Sequence, residues 1–454
     1  MIKKFTLLLL FAFVAVNSFA TERVVFLGEY SIGSWNTTCN IDKAAFSSLN
    51  EGDMIIICYE ADVDGASAAK ETYYQLQLKS SSVDLTEVVG LESSGEKNYY
   101  FTPTGGNVTQ IKSNGLQIAG HFAKIKSVSY VERTSLVLDA SKLPFDTGGN
   151  WDNYLPLSLP TLQTAVVGDE IYFDIKSTDP GTRGYCQGAV QGTDLGIGSS
   201  DLNGKTYAIY TLTSDNVEKI SSSTYLQFGG EGVEVNNIYL IQHNKTYVLS
   251  PSATIDLTKV PNSDVSVEFC RNFNNWNTLC LPFEWTIPDD FTNVYTYDSY
   301  DDGTIYFNKV TSETVSAGTP CLIEASDTQI TLSAIANIYN ASPSTSENFK
   351  GNYIPGASMD GKYGVAWSNK DSQWAFIKGS SSSTAKAFSA YFDPSAYLQF
   401  PSPSLSIVIG GTTNIEKVQN VEKENGEIYN LMGTKMTTVR KGIYIKNGKK
   451  YIVK

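Results

Sequence analysis

The chain has 454 residues, room for about two to four domains of roughly 100–200 residues each, and its 47 acidic side chains against 34 basic ones give a formal charge of −13. That balance argues against a phosphate backbone as partner, because nucleic-acid binding needs clustered Lys and Arg to displace counterions. With 27 Tyr, 21 Phe and 36 Gly, and few long stretches of strong helix formers, the composition leans to β structure.

Lys3-Lys4, the apolar run from Phe5 to Val16 and the small-residue end Ser18-Phe19-Ala20 together make a secretory signal peptide over residues 1–20. The run is shorter than the roughly 20 residues that span a bilayer, and no later segment reaches that length, so no membrane span is expected in the mature chain. No Cys stands at the cleavage point, which argues against a lipid anchor there. The six cysteines (Cys39, Cys58, Cys186, Cys270, Cys280, Cys321) then meet an oxidising compartment. Cys39 with Cys58 and Cys280 with Cys321 are candidate pairs; buried free thiols are the alternative.

From residue 23 to 132, short apolar runs are separated by Gly, Asn, Ser and Asp, and residues 24–27, 54–59, 74–78, 99–101, 116–118 and 125–130 are predicted strands. Residues 42–49 and 108–112 are predicted short helices. The pattern is then written a second time. Trp35, in Gly33-Ser34-Trp35-Asn36, precedes Gly52-Asp53 and Met54-Ile55-Ile56-Ile57 by the same interval that Trp151, in Gly148-Gly149-Asn150-Trp151-Asp152, precedes Gly168-Asp169 and Glu170-Ile171-Tyr172-Phe173. Tyr73-Tyr74-Gln75 is echoed by Tyr185-Cys186-Gln187, Asn107-Val108 by Asn216-Val217, Leu116-Gln117 by Leu226-Gln227 and Gly120 by Gly230. The offset changes only between these anchors, where loops absorb insertions. Two copies of one β-sandwich of jelly-roll type are expected, over 21–132 and 133–244. Asp53 and Asp169 are expected to bond the turn that opens the next strand. With its Trp loop, Gly-Asp turn and closing strand pair, each copy resembles the galactose-binding-like jelly rolls of many carbohydrate-binding modules.

Residues 245–409 lack that spacing and read as a further β-rich domain with an exposed polar tip at 380–384. Its Trp276-Asn277-Thr278-Leu279-Cys280-Leu281-Pro282-Phe283, ahead of Gly318-Thr319-Pro320-Cys321-Leu322-Ile323, resembles a segment common in surface proteins of Bacteroidetes, and the resemblance brings no activity with it. Gly410-Gly411-Thr412-Thr413-Asn414 is a flexible joint. After it, residues 410–454 form a small β unit: a strand and turn at Gly426-Glu427-Ile428-Tyr429-Asn430-Leu431-Met432-Gly433, then a hairpin about Asn447-Gly448. With Gly442-Ile443-Tyr444 and the Lys-rich Val453-Lys454 end, this unit resembles the C-terminal sorting domain of the type IX secretion system. That implies export through contact with the type IX machinery; the Pro-Asn-Pro entry turn of the longer form is missing, so cleavage and anchoring do not follow. A terminal strand pair on the third region is the alternative.

No catalytic pattern emerges. His121 and His243 are the only histidines and read as surface or loop residues. There is no His-Glu-x-x-His, no paired Cys-x-x-Cys, no P-loop and no Gly-x-Gly-x-x-Gly after a strand, and spacing singles out no carboxylate pair. No cofactor or metal is called for. A sugar, by contrast, offers C–H bonds to an aromatic face and hydroxyls to amides. Trp35 and Trp151 in polar loops, with Gln75, Gln187, Tyr74 and Tyr185 nearby in the pattern, are the candidate ligand-binding residues; capping of the sandwich core is the other reading of the two tryptophans. The expectation is an all-β, secreted or cell-surface, non-catalytic protein that binds glycan or host glycoprotein through tandem jelly rolls. A structural or adhesive protein with no small ligand is the rival, and a glycan-degrading enzyme stands behind both.

Overall fold

The computed structural model describes residues 21–149, 151–178, 186–199, 202–252, 255–301, 303–344, 348–394 and 402–410, and, further on, 428–429, 435–436, 442–446 and 449–453. The expected signal peptide, Tyr185 and most of the expected sorting domain lie outside the described residues. The chain divides into two compact units, one ending at Ile409 and one beginning at Gly410. Among the described residues strands are the main regular element of both.

In the first sandwich, β1 (Thr21–Ile32), β2 (Thr38–Ile41), β3 (Met54–Ala61), β4 (Gln75–Ser80), β5 (Val83–Asp84), β6 (Val89–Gly90), β7 (Glu96–Phe101), β8 (Leu116–His121) and β9 (Ala123–Val131) make two sheets. Their orders are β1-β9-β3-β7 and β2-β8-β4-β5, with β6 also paired to β4. Successive strand residues point to opposite faces, so Val25, Ile55, Ile57 and Val128 from one sheet meet Ile41, Leu76, Leu78 and Ile118 from the other. Helix α1 (Val63–Ala69) starts on the Asp62 cap, and α2 (Gly105–Asn114) starts on the Thr104 cap and turns Val108 and Ile111 into the core. The predicted helix at 42–49 is a 3-10 turn over Lys43–Phe46. Helix α1 escaped the sequence because it buries only Ala66 and so carries no apolar period.

The second sandwich comprises β10 (Arg133–Ser135), β11 (Phe145–Asp146), β12 (Tyr154–Pro156), β13 (Glu170–Ser177), β14 (Gln187–Gly192), β15 (Leu195–Ser199), β16 (Tyr207–Thr211), β17 (Leu226–Glu231) and β18 (Val233–Ile241), with α3 (Leu159–Leu162) and α4 (Ser214–Ser222). Its sheets run β18-β13-β16 and β12-β17-β14-β15, the order found in the first sandwich, and β10 and β11 together occupy the edge of β18 as β1 occupies that of β9. The Gly-Asp turns also match. Gly52 and Gly168 have φ of +92° and +97°, which favours glycine. Asp53 Oδ2 accepts from the Asn50 N–H at 2.7 Å, and Asp169 Oδ2 from the Val166 N–H at 2.9 Å.

The outward face of β3 is covered too. Met54, Ile56 and Val131 pack against Tyr172 and Ile241 in a core of their own. A strand buried on both faces reads as an unbroken apolar run, as Met54-Ile55-Ile56-Ile57 does. The sandwiches therefore stack through their β3- and β13-containing sheets, leaving the β2-β8-β4-β5 and β12-β17-β14-β15 sheets outermost. At the seam His243 Nδ1 lies 2.7 Å from Glu22 Oε2 and Nε2 lies 3.3 Å from Glu170 Oε2, while Ser129 Oγ donates to Glu22 Oε1 at 2.6 Å. The expected loop histidine is thus a half-buried structural cation. Burial disfavours its charge, but the two carboxylates prevail and push its pKa up to about 9. Burial likewise opposes the charge of Glu22, and His243, Lys245 and Ser129 together outweigh it, holding that carboxyl below its usual range.

Strand β19 (Asn244–Leu249) then returns to pair in parallel with β1, Thr21 opposite Asn244 and Val24 opposite Tyr247. Strand β20 (Val265–Leu279) continues in parallel beside it. The strands that follow are β21 (Trp285–Thr286), β22 (Phe291–Asp301), β23 (Thr304–Lys309), β24 (Thr314–Val315), β25 (Cys321–Ala336), β26 (Phe349–Asn352), β27 (Ala357–Ser358), β28 (Tyr363–Ser368), β29 (Gln373–Lys378), β30 (Thr384–Ala385), β31 (Ser389–Phe392) and β32 (Ser404–Gly410). Apart from the short pairs β21-β24 and β27-β30, they extend the first sandwich into one 14-stranded sheet, β26-β31-β28-β29-β32-β23-β22-β25-β20-β19-β1-β9-β3-β7. Nothing in the sequence announces this continuity. The far end curls back: the Thr278 hydroxyl of β20 donates to the Ala390 C=O of β31 at 2.8 Å and accepts from its N–H at 2.9 Å. Phe307, Phe349, Phe376 and Phe392 fill the curl. The second unit is a sheet of β33 (Ile428–Tyr429), β34 (Lys435–Met436), β35 (Gly442–Lys446) and β36 (Lys449–Val453), with Lys446 paired to Lys449 across the expected hairpin; Asn447 and Gly448 lie outside the described residues.

All six cysteines are free thiols. Cys39 lies inside the first core, whereas Cys58 alternates with Ile57 and so shares the opposite face of β3 with Ile56; the candidate pair is separated by the sheet. Cys280 and Cys321, the other candidate pair, bond instead to the carbonyls of Gly318 and Thr319. Among the described residues no helix is long and apolar enough to cross a membrane.

The seam predicts a pH profile. His243 rises in the fold from 6.5, so its contribution is complete below that value and is lost as pH climbs through about 9. Glu22, depressed, contributes above its ordinary value of 4.5 and loses that as pH falls. Thermal melts across pH should therefore show highest stability near pH 5–6.5 and a decline toward about pH 9. His243→Gln should lower stability at pH 6 by about 1–3 kcal/mol and flatten the alkaline decline.

Candidate functional site

The stacking of the two sandwiches leaves one sheet face of each open to solvent. On the second sandwich, strand pairing puts Glu231 opposite Gln187, Tyr154 opposite Gly229 and Ala189, and Pro156 opposite Gln227 and Gln191. The corresponding rows on the first are His121 with Gln75, Thr38 with Ala119 and Gln77, and Asn40 with Gln117 and Lys79. Both faces are rich in primary amides because the inward positions of these strands are already taken by Leu, Ile, Val and Phe.

Aromatic rings lie on the amide face of the second sandwich. A Cβ at Gly229 would sit 2.8 Å from Tyr154 Cε1, so the Tyr154 ring rests on β17 because that position has no side chain; Trp151 Cε3 would lie at an ordinary contact distance of 3.4 Å. Beside them Gln187 Nε2 donates to Glu231 Oε1 at 2.6 Å. A carboxylate only accepts, so the bond fixes the amide with its carbonyl turned away from Glu231. A half-buried ring next to a fixed amide can hold a pyranose by its C–H face and its hydroxyls.

The predicted site residues fall as follows. Trp35 is 38% exposed on a turn closed by the Thr37 N–H to Ser34 C=O bond, and Trp151 is half-buried. Gln75 and Gln187 occupy equivalent outward positions on β4 and β14. Tyr73, rather than Tyr74, reaches the row of Gln75: its ring stacks at 4.8 Å on His121, which lies directly opposite Gln75. The period of two along a strand carries residue 73 to the face of residue 75 and turns residue 74 away. Tyr185 lies outside the described residues. His121, expected on the surface, is held between Tyr73 and Phe122. Sequence reading missed Tyr154, Gln191, Gln227 and Glu231. The alternation of Tyr154-Leu155-Pro156-Leu157, exposed then buried, was the available signal for the first of these.

No protein-family model matches the chain, and no curated protein matches it. Among solved structures, part of the chain is similar to SGBP-B of the mixed-linkage glucan utilization locus of Bacteroides ovatus, solved in complex with a mixed-linkage heptasaccharide. The match has 17% identity and a TM-score of 0.21, and it covers 24% of this chain and 28% of that one. It spans little more than a quarter of that protein's length.

Because Gly229 seats the Tyr154 ring, Gly229→Ala should lift that ring from β17 and disturb Trp151 beside it. The expected outcome is a red shift of tryptophan emission with a stability loss of about 1–3 kcal/mol, the range of a local overpacking, read by fluorescence and thermal melting.

Proposed function

We propose that residues 21–132 and 133–244 are two copies of one non-catalytic saccharide-binding sandwich on a secreted or cell-surface protein, each binding glycan or glycoprotein on its outer sheet. The observation that carries this reading is the placement of Trp151 and Tyr154 on Gly229, outside every core and beside the Gln187–Glu231 pair. Tyr154 is 42% exposed and Trp151 half-buried, which leaves ring surface for a ligand. The first copy offers the same chemistry with Trp35, Tyr73 and the Gln75–His121 row. The common strand order and the matching Gly-Asp turns support the duplication. Export through the type IX machinery, directed by the C-terminal unit, belongs to the same proposal and rests on the resemblance of that unit's sequence.

A glycan array on the full chain, with melting curves, tests the binding. Trp151→Ala should remove on the order of 1–3 kcal/mol of ligand affinity, as a hot-spot aromatic does, and shift stability by no more than about 0.5 kcal/mol, as a surface change does. A stability loss of about 3–5 kcal/mol would return the ring to a core and end this reading. Absence of binding to any glycan would favour the structural or adhesive protein. For export, a chain ending at Ile409 should keep its thermal transition and remain in the periplasm of the source organism; its normal display at the surface would overturn the type IX assignment.

A further inference from the structure

The third region carries a groove unrelated to either sandwich face. Strand β28 pairs with β31 only where Tyr363 meets Phe392, whereas β20 is fastened to β31 through Thr278 and Ala390. The curled sheet therefore stays open between β20 and the β28-β29 hairpin, leaving a groove of about 640 Å³ at the mouth of the phenylalanine core. Three of the six tryptophans of the chain line it: Trp276, stacked on Tyr295 at 5.7 Å, and the cross-strand pair Trp367 and Trp374, with centroids 6.0 Å apart. Trp367 is 50% exposed, a high value for so large an apolar side chain.

The charge of the groove is opposite to that of the protein. Its lining contains Arg271 and Lys386 and no carboxylate, although the chain carries 47 acidic residues. A smaller recess next to it shares both cations and adds Lys43 and Asp42; the Asp42 carboxylate there caps the Ala44 N–H. Arg271 is only 9% exposed. Its Nη1 donates to the Thr278 C=O at 2.8 Å and its Nη2 to Asn277 Oδ1 at 2.9 Å, and the guanidinium lies 5.1 Å from the Phe273 ring. Both hydrogen-bond partners are neutral, and no ion pair to Arg271 occurs among the described residues. Burial lowers its pKa only to about 10, which leaves the side chain charged at neutral pH. A buried cation without a counter-ion is costly, and an arriving anion would relieve that cost.

We propose that this groove binds an acidic saccharide, its pyranose rings stacked on Trp367, Trp374 and Trp276 and its carboxylate or sulfate directed to Arg271 and Lys386. Aromatic faces alone would accept any pyranose; the carboxylate-free cationic lining selects for charge. The site is independent of the sandwich faces and survives or fails separately from them.

The test is titration calorimetry on the full chain with an oligogalacturonate, its fully methyl-esterified form, which keeps the rings and removes the charge, and a sulfated oligosaccharide. At least one acidic probe should bind at least about tenfold more tightly than the methyl ester, with an advantage that shrinks as salt is raised. Trp367→Ala and Lys386→Gln change exposed side chains and should each weaken the acidic probe by about tenfold without moving the melting transition, while Trp151→Ala should leave its affinity unchanged. Arg271→Met is a secondary variant, because its fold is at risk. Equal affinity for charged and esterified probes would overturn the proposal, as would affinity unchanged in Trp367→Ala and Lys386→Gln. If Trp151→Ala abolishes binding and Trp367→Ala does not, the groove is excluded and the sandwich face is the site.

Discussion

The arrangement of the molecule depends on the contact between the outward faces of β3 and β13. Ile56 and Tyr172 stand at matching positions in the two sandwiches and belong to one buried cluster between them. At roughly 25 cal/mol per Å² of apolar surface, burying such a face is a substantial stabilisation, and it dictates geometry as well. A sheet whose inner face is core and whose outer face is seam has no surface left for a ligand. The sheet faces that remain open on the sandwiches are those of the other two sheets, where the amides and aromatic rings are found. The Glu22–His243–Glu170 cluster adds direction to this contact. Apolar surfaces slide at little cost, whereas a buried imidazolium between two carboxylates tolerates one register only.

A second constraint comes from β19. By pairing with β1 it makes the first sandwich and the third region one sheet, so their relative orientation is set by backbone hydrogen bonds rather than by a linker. The second sandwich is held mainly through side chains at the seam. The curl that follows β20 is fastened by the Thr278 hydroxyl, by the Cys280 N–H donating to the Phe388 C=O and by the Tyr353 hydroxyl donating to the Leu281 C=O, and the groove lies where β28 pairs with β31 at one residue only.

Much of the fold was legible in the sequence because it is local. The Gly-Asp turns could be read from two residues, and the inward positions of the strands from their alternation. The apolar run at 54–57 contained a further message, that both faces of β3 are covered, which becomes plain once the partner face is known. What remained illegible depends on residues far apart in the chain. His243 looks like a linker histidine until β1 and β13 bring Glu22 and Glu170 to it. Arg271 and Trp367 join one groove only after the sheet has curled. The choice of Tyr74 over Tyr73 differs in kind: strand parity was available, and counting back from Gln75 would have given the ring that stacks on His121.

The return of β19 to β1 has a consequence for how the chain is made. Strand β1 is synthesised well before the strand that covers its outer edge, which begins at Asn244. The whole second sandwich, whose contacts are more local, lies between them. Contacts of long sequence separation form late because loop closure must precede them, so β1 waits with an open edge while its neighbours fold. An open edge is a template for any strand of suitable register, and the β19 of another copy is the best-matched intruder. Exchange of that strand between two chains would give a swapped dimer that keeps the β1–β19 pairing and changes the segments linking β19 to its own chain.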